Sequence, residues 1–248
     1  MKLLLDIGNS SVKWALQEQE EFISSGAFRY KKNDFEQNIQ ENLLLSKKPS
    51  DVLVSNVAGN EIFNLLNVRV KKQWQQECWQ PSVSASFNKL KNSYSDTRQM
   101  GLDRWLAMIA SWEQYQSALC LVSCGTALTI DLINLEGQHL GGYIVPGIEL
   151  MQRALVNNTE QINVDVKHQA SLDYAKDTQS AINNGAFLAA VSMIDHTVDK
   201  FSKESNCKPT CIISGGMAKL IKPLLNHPFQ QEPNLVLAGL SILHKASL

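Results

Sequence analysis

Two segments of the chain share one pattern, in which an apolar strand is followed by a glycine-containing turn and then by a second strand. In residues 1–16, the apolar run Leu3–Leu5 leads into the turn Asp6–Ser10. In residues 119–133, the turn Ser123–Ala127 follows a similar apolar run. Because a continuous apolar run is typical of a strand buried on both faces, each segment predicts a hairpin that begins inside a sheet. We interpret the pair as a weak internal duplication.

The duplication predicts two similar lobes, residues 1–117 and 118–248, with both turns facing one cleft. Strand and helix signals alternate within each lobe, which favours an α/β fold with mixed sheets and flanking helices. Helical periodicity covers residues 35–45, 61–74, 101–112, 150–155, 182–201 and 218–225, and strand-like runs cover 22–32, 51–57, 211–214 and 235–240.

The first hairpin carries the groups that a magnesium nucleotide requires. Asp6 ends the buried strand, residues 8–11 offer backbone N–H groups and hydroxyls, and Lys13 follows on the returning strand. A carboxylate, exposed amides and a lysine together suit a phosphate with its metal ion. The alternative is an ordinary hairpin in which Gly8 and Asn9 only form the turn, since both residues tolerate positive φ.

A second group of candidate residues lies around the start of the helix predicted from Gly101. Asp103, in the first turn, could accept a hydroxyl proton, and the guanidinium of Arg104 suits a substrate carboxylate. The alternative for Asp103 is structural, because an acidic residue near a helix N-terminus interacts favourably with the helix dipole. That alternative does not account for Tyr94 or Gly101.

Three further segments in the second half contain candidate residues. The second turn, with Gly125 and Thr126, predicts another contact with a nucleotide. Ser214 is followed by two glycines, where backbone can approach a flat ligand closely. Thr178 precedes the long amphipathic helix, and the simplest role for its hydroxyl is to cap that helix.

Composition favours a folded protein that acts on small molecules. The formal net charge is -1, from 23 basic and 24 acidic residues spread along the chain, which disfavours nucleic acid and anionic membranes as partners. The first strand lacks the features of a signal peptide and no apolar run reaches membrane-spanning length, so we expect a cytoplasmic protein. Five cysteines in such a chain predict reduced thiols.

The sequence resembles the type III pantothenate kinases, within the superfamily of acetate and sugar kinases, actin and heat-shock ATPases. The resemblance covers nearly the whole chain, and its motifs are Asp6-x-Gly8-Asn9-Ser10-x-x-Lys13, Tyr94, Gly101-x-Asp103-Arg104, Gly125-Thr126, residues 141–147, Thr178-x-x-Ala181-Ile182 and Ser214-Gly215-Gly216. It implies two actin-like (ribonuclease H-like) lobes with the active site in the cleft between them. It also implies ATP-dependent phosphorylation of the primary hydroxyl of pantothenate to 4'-phosphopantothenate, the first step of coenzyme A biosynthesis.

The resemblance also implies a role for each matching residue. ATP would be bound by Asp6, Ile7, Gly8, Asn9, Ser10, Ser11, Val12, Lys13 and Thr126. Pantothenate would be bound by Tyr94, Gly101, Leu102, Asp103, Arg104 and Thr178, with Asp103 as the general base. Asp6 would place Mg²⁺ through water, and a monovalent cation, K⁺ or NH₄⁺, would bind beside the phosphates. Thr178 would reach the pantothenate of the partner subunit, which implies a homodimer.

Two positions depart from the family pattern. Ser123 stands where the family usually has an aspartate that holds the monovalent cation, so we expect a weaker dependence on that cation. Asp131, on the returning strand, could compensate if its side chain faces the cleft. The segment 55–59 lacks a proline common in the family after its Ser-x-Val strand end, which we expect to affect only the geometry of that loop.

Two other functions stay open on the sequence alone. One is a kinase of the same superfamily that acts on another small alcohol or a sugar. The other is a nucleotide-binding regulator that has lost catalysis. Asp103 and Lys13 argue against lost catalysis, and Tyr94 with the Gly-x-Asp-Arg motif argues against a sugar.

Overall fold

The computed structural model describes residues 1–43, 48–157 and 169–248. The first elements along the chain are β1 (Lys2–Ile7), β2 (Ser11–Glu18), β3 (Glu21–Arg29), α1 (Phe35–Asn42), β4 (Val52–Asn56), α2 (Asn60–Trp74), β5 (Cys78–Trp79), β6 (Ser86–Phe87), β7 (Leu90–Lys91) and α3 (Leu102–Tyr115). The later elements are β8 (Leu119–Cys124), β9 (Ala127–Ile133), β10 (His139–Pro146), α4 (Ile148–Asn157), α5 (Thr178–Ser205), β11 (Thr210–Ser214), α6 (Ala218–Ile221), β12 (Phe229–Gln231) and α7 (Leu235–Ala246). Within the described residues, no helix is both long enough and apolar enough to cross a membrane.

These elements form two compact units. The first unit consists of Met1–Ala85, Tyr94–Ser111 and Leu235–Leu248, and the second of Ser86–Ser93 and Trp112–Asn234. The lobe boundary expected after residue 117 stays a prediction.

The first unit contains a five-stranded sheet in the order β3-β2-β1-β4-β5. The central strand β1 is antiparallel to β2 and parallel to β4, so the sheet is mixed. Leu3 and Leu5 pack with buried residues of α1 and α2, whereas Leu4 packs with residues of α3 and α7. Helices therefore cover both faces of β1, as the apolar run predicts.

The second unit contains a sheet in the order β10-β9-β8-β11-β12, which repeats the first sheet strand for strand. Its central strand β8 is antiparallel to β9 and parallel to β11. On one face, Val122 and Ile213 pack with Phe187 and Ile194 of α5. The repeated topology confirms the two similar mixed sheets with flanking helices that the duplication predicts.

The predicted strand over residues 235–240 is wrong, because this run forms the start of helix α7. Short apolar runs do not separate a buried strand from a buried helix by periodicity. The run continues as a helix to Ala246, and its buried residues pack with β1 and α3. An added Cβ at Gly239 would lie 1.9 Å from the carbonyl oxygen of Leu106, so the two helix backbones approach closely at this glycine.

The other predicted elements are present with modest shifts at their ends. The helices expected at 61–74 and 101–112 and the strands at 51–57 and 211–214 each match an observed element to within three residues at each end. The helix expected over 35–45 is observed over Phe35–Asn42, and residues 44 and 45 lie outside the described residues.

Candidate active site

Asp6 lies in a row of polar side chains that crosses three strands of the first sheet. It stands opposite Lys13 of the antiparallel strand β2 and opposite Ser55 of the parallel strand β4. Side chains alternate between faces along a strand, so Asp6 shares the face of Leu4, which packs with α3 and α7. The sheet therefore places a carboxylate, an ammonium group and a hydroxyl together beneath the helix that carries Asp103.

The carboxyl group of Asp6 has a raised pKa. Burial raises this pKa from 3.8 to about 6; the charge of Lys13 lowers it, that of Asp103 raises it, and a hydrogen bond from Ser55 lowers it. In that bond the hydroxyl of Ser55 donates to Oδ1 of Asp6 over 3.3 Å. Two carboxylates thus repel each other in a partly desolvated place, where a bound cation would stabilise both.

Asp103 is held in the first turn of α3. The backbone N–H of Arg104 donates to Oδ1 of Asp103 over 2.9 Å. An added Cβ at Gly101 would lie 2.7 Å from the same oxygen. The Gly-x-Asp spacing therefore has a local reason, since the glycine leaves room for the carboxylate above the start of the helix.

Arg104 and Tyr94 form a second pair close to Asp103 in the chain. Nη1 of Arg104 donates to the hydroxyl oxygen of Tyr94 over 3.1 Å, and the guanidinium carbon lies 5.7 Å from the centre of the tyrosine ring. The guanidinium is a positive charge with a planar set of hydrogen-bond donors. Since Arg104 is only 6% exposed, its charge is held in place by surrounding protein.

The first hairpin turn does not adopt the positive φ angles that its glycine and asparagine would tolerate. Neither Gly8 nor Asn9 has a positive φ. The N–H of Gly8 donates to the carbonyl oxygen of Ser11, and the hydroxyl of Tyr30 donates to the carbonyl oxygen of Gly8 over 2.6 Å. An added Cβ at Gly8 would meet Ser11 at an ordinary 3.5 Å, so the protein itself does not require a glycine here.

Two residues of this arrangement were missed as site residues by the sequence analysis. Ser55 lies 49 positions from Asp6, and only the strand pairing brings the two together. Tyr30 belongs to a weakly alternating run, and no local signal marks it as the support of the turn. The one sequence signal is that Ser55 interrupts the apolar run 52–54, and a polar residue in a buried strand requires a hydrogen-bond partner.

In the second unit, hydroxyl groups occupy the positions that correspond to Asp6 and its neighbours. Ser123 of β8 pairs with Thr129 of β9 and with Ser214 of β11. The carboxylate of Asp131 lies 3.1 Å from Nε2 of His139, and its side chain is 3% exposed. The negative charge of Asp131 is therefore already engaged by a histidine.

Thr126 and Thr178 are both exposed in the second unit. Thr126 lies in the turn between β8 and β9, and its carbonyl oxygen accepts from the N–H of Gly147 over 2.9 Å. Thr178 is the first residue of α5, and the cap of this helix is Asp177, whose side chain accepts from the N–H of Ser180 over 2.8 Å. The capping role considered for Thr178 is therefore wrong, because the preceding aspartate performs it.

Among the described residues, no group of three or more histidine, cysteine, aspartate or glutamate side chains is arranged to hold a metal ion.

A family model described as type III pantothenate kinase matches residues 2–200. The chain belongs to the type III pantothenate kinase family. A type III pantothenate kinase of Nitrosococcus oceani is 34% identical over 99% of this chain and 94% of its own length. One of Chromobacterium violaceum is 34% identical over 97% of this chain and 98% of its own.

Solved structures similar to this type III pantothenate kinase family member establish its fold. A putative 2-dehydro-3-deoxygalactonokinase of Sinorhizobium meliloti matches with a TM-score of 0.61 at 9% identity, covering 100% of this chain and 99% of that chain. A putative Baf family transcriptional activator of Campylobacter jejuni matches with a TM-score of 0.58 at 21% identity, covering 99% and 98%. The predicted fold of two similar actin-like lobes is confirmed.

Proposed function

We propose that this chain transfers the γ-phosphoryl group of ATP to the primary hydroxyl of pantothenate, which forms 4'-phosphopantothenate for coenzyme A biosynthesis. The observation that carries the proposal is the grouping of Asp6, Lys13 and Asp103 on one face of the first sheet, in a chain of this family. Phosphoryl transfer depends mainly on positioning and on neutralising charge, and this group offers both charge signs around one place.

ATP binds at the first hairpin in this proposal. The exposed turn presents backbone N–H groups and the hydroxyls of Ser10 and Ser11, while Lys13 supplies a positive charge. The small surface at Gly8 lets phosphate oxygens approach the backbone, which gives that glycine a reason that the fold alone does not. The full set of proposed ATP contacts is Asp6, Ile7, Gly8, Asn9, Ser10, Ser11, Val12, Lys13 and Thr126.

Mg²⁺ accompanies ATP in the proposed reaction, and the residues present fit it. Asp6 and Ser55 offer the hard oxygen atoms that Mg²⁺ prefers, and burial, with the charge of Asp103, raises the pKa of Asp6, so a bound cation would stabilise its ionised form. Asp6 would hold the ion through water. When bound with the nucleotide, the ion neutralises charge on the phosphate oxygens.

Asp103 acts as the general base and Arg104 as a substrate anchor. The carboxylate of Asp103, fixed by the N–H of Arg104, accepts the proton of the pantothenate hydroxyl as that oxygen attacks the phosphorus atom. The guanidinium of Arg104 and the hydroxyl of Tyr94 bind the polar groups of pantothenate, with Gly101 and Leu102 beside them.

The proposed assembly is a homodimer in which Thr178 reaches the pantothenate of the partner subunit. A run of exposed apolar side chains supports an interface on the second unit, namely Leu140, Tyr143, Ile144, Leu150, Leu155 and Leu188. Large exposed apolar surfaces commonly mark protein–protein contacts. Thr178 begins the same helix that carries Leu188, so this interface would bring Thr178 near the partner.

A monovalent cation, K⁺ or NH₄⁺, completes the proposed site, with a weakened dependence because Ser123 carries no charge. We place the reaction in the cytoplasm, and the five free cysteines suit a reducing compartment.

The test of the function is a product analysis. Purified protein is incubated with magnesium ATP and, separately, pantothenate, several sugars and other small alcohols, and the product masses are determined. We expect only pantothenate to gain one phosphoryl group, with matching release of ADP. Phosphorylation of a sugar in preference to pantothenate would contradict the proposal.

A further inference from the structure

Three side chains of the second unit form a hydrogen-bonded chain that the proposed reaction does not use. Nε2 of His139 lies 3.1 Å from Oδ1 of Asp131, and Nδ1 of His139 lies 2.9 Å from Oγ of Ser93. An ionised carboxylate only accepts hydrogen bonds, so Nε2 carries the hydrogen in the bond to Asp131, while Nδ1 and the hydroxyl of Ser93 form the second bond. The chain thus runs from a buried charge to an exposed serine.

The same connectivity occurs in serine hydrolases, but the burial of His139 argues against that chemistry here. His139 is 0% exposed and Asp131 is 3% exposed. A general base must pass its proton on to a leaving group or to water, and a fully enclosed imidazole has no such route. The arrangement is better suited to holding Ser93 in one position.

Neighbouring contacts fix the same stretch of chain. Leu90 is 0% exposed, and the N–H of Lys91 donates to the carbonyl oxygen of Gly137 over 2.8 Å. Together with the bond between Ser93 and His139, these contacts hold the chain as far as Ser93, the residue directly before Tyr94. The hydroxyl of Tyr94 in turn accepts a hydrogen bond from Arg104.

We propose that Ser93, held by His139 and Asp131, is a positioning residue for Tyr94 and thereby for pantothenate. This inference rests on the proposed function, in which Tyr94 contacts pantothenate. When the Ser93 hydroxyl is anchored, the backbone that leads into Tyr94 has few conformations, so the tyrosine is ordered before substrate binds. Without the anchor, Tyr94 must become ordered when pantothenate binds, which weakens the binding of pantothenate. The binding of ATP stays unchanged.

The test compares Ser93→Ala with Ser93→Thr, which keeps the hydroxyl, and with Ser95→Ala, a matched control at an exposed serine two positions away. We expect Ser93→Ala to raise the KM for pantothenate about 3- to 10-fold, the range that corresponds to one hydrogen bond. We expect its kcat, KM for ATP and Tm to match wild type, and the two other variants to behave as wild type throughout. Asp131→Asn should shift the KM for pantothenate in the same direction.

An unchanged KM for pantothenate in Ser93→Ala, or an equal rise in the KM for ATP, would overturn the inference. A second measurement reports on the anchor itself, namely amide hydrogen exchange of the peptide that contains residues 93–95. Ser93→Ala should exchange faster there than wild type and Ser95→Ala, and identical exchange would also refute the anchor. Wild-type protein that does not phosphorylate pantothenate would refute the proposed function instead, while the exchange data would still decide whether Ser93 orders this segment.

Discussion

Ser123 occupies in the second sheet the place that Asp6 occupies in the first. Each residue lies near the end of its central strand, with a serine opposite it on the parallel neighbour. On the antiparallel neighbour, Asp6 faces Lys13 whereas Ser123 faces Thr129. The corresponding positions therefore carry ionisable groups in the first sheet and hydroxyls in the second, so an effect of charge is expected at Asp6 and not at Ser123.

The first prediction concerns the base. Asp103→Asn should fold as wild type and lose about 10²- to 10⁴-fold in kcat, because an amide of nearly the same shape cannot accept the hydroxyl proton. Steady-state kinetics with pantothenate and magnesium ATP measure the loss. Asp199→Asn, which neutralises an exposed carboxylate of α5, is the control and should retain full activity. Turnover of Asp103→Asn within a few-fold of wild type would remove Asp103 from the mechanism.

The second prediction is that Asp6→Asn stabilises the fold at neutral pH while impairing activity. Well below pH 3.8, Asp6 is protonated in both the folded and the unfolded chain, so its ionisation affects neither state. Between the unfolded pKa of 3.8 and the folded pKa of about 6, only the unfolded chain ionises, and the fold loses stability as pH rises. Above pH 6 the loss is complete, at about 1–3 kcal/mol for a shift of this size.

Urea unfolding without nucleotide, in the presence of a chelator, tests this linkage. Asp6→Asn should exceed wild type in the free energy of unfolding at pH 8, and the difference should shrink as pH falls and disappear at about pH 3, well below the unfolded pKa of 3.8. The partial exposure of Asp6 places the expected gain at the lower end of the range. Equal stabilities at pH 8 would show that burial does not penalise this carboxylate.

The third prediction separates two glycines by their surroundings. Gly8→Ala should fold normally, because its Cβ would make an ordinary contact at 3.5 Å and φ is not positive. Its KM for ATP should rise on the order of 10-fold or more, since the methyl group displaces the phosphates from the turn. Gly239→Ala should instead lower Tm, because its Cβ would lie 1.9 Å from the oxygen of Leu106. An unchanged KM for ATP in Gly8→Ala would argue against phosphate binding at this turn.

The fourth prediction concerns the shared site of the proposed homodimer. Asp103→Asn and Thr178→Arg should each be inactive alone, and their mixture should recover up to about a quarter of wild-type activity. Random exchange makes half of the dimers mixed, and each mixed dimer contains one intact site. Subunits are mixed under conditions that permit exchange and then assayed. A monomer in sedimentation at the assay concentration would exclude the arrangement.

Sequence patterns predicted those parts of the site that local chain geometry determines. Asp6 and Lys13 are close in sequence and meet across one hairpin, and Asp103 stands two residues after a glycine at a helix start. The hydrogen bond from Ser55 to Asp6 was not predictable in this way, because it depends on which strands become neighbours. The helical state of residues 235–240 was missed because a short apolar run does not separate a buried strand from a buried helix.

The last prediction concerns the monovalent cation. Ser123 offers only a neutral oxygen, and the carboxylate of Asp131 is engaged by His139 and enclosed by protein, so it is not available as a substitute. An aspartate at position 123 would add a full charge, worth about 1 kcal/mol on a cation 4 Å away even in water. Ser123→Asp should therefore lower the half-activating K⁺ concentration about 5-fold, while the neutral Ser123→Asn should not. Initial rates are measured across a potassium series at constant ionic strength, balanced with a large organic cation. Equal half-activating concentrations in all three proteins would show that position 123 does not set the affinity for the cation.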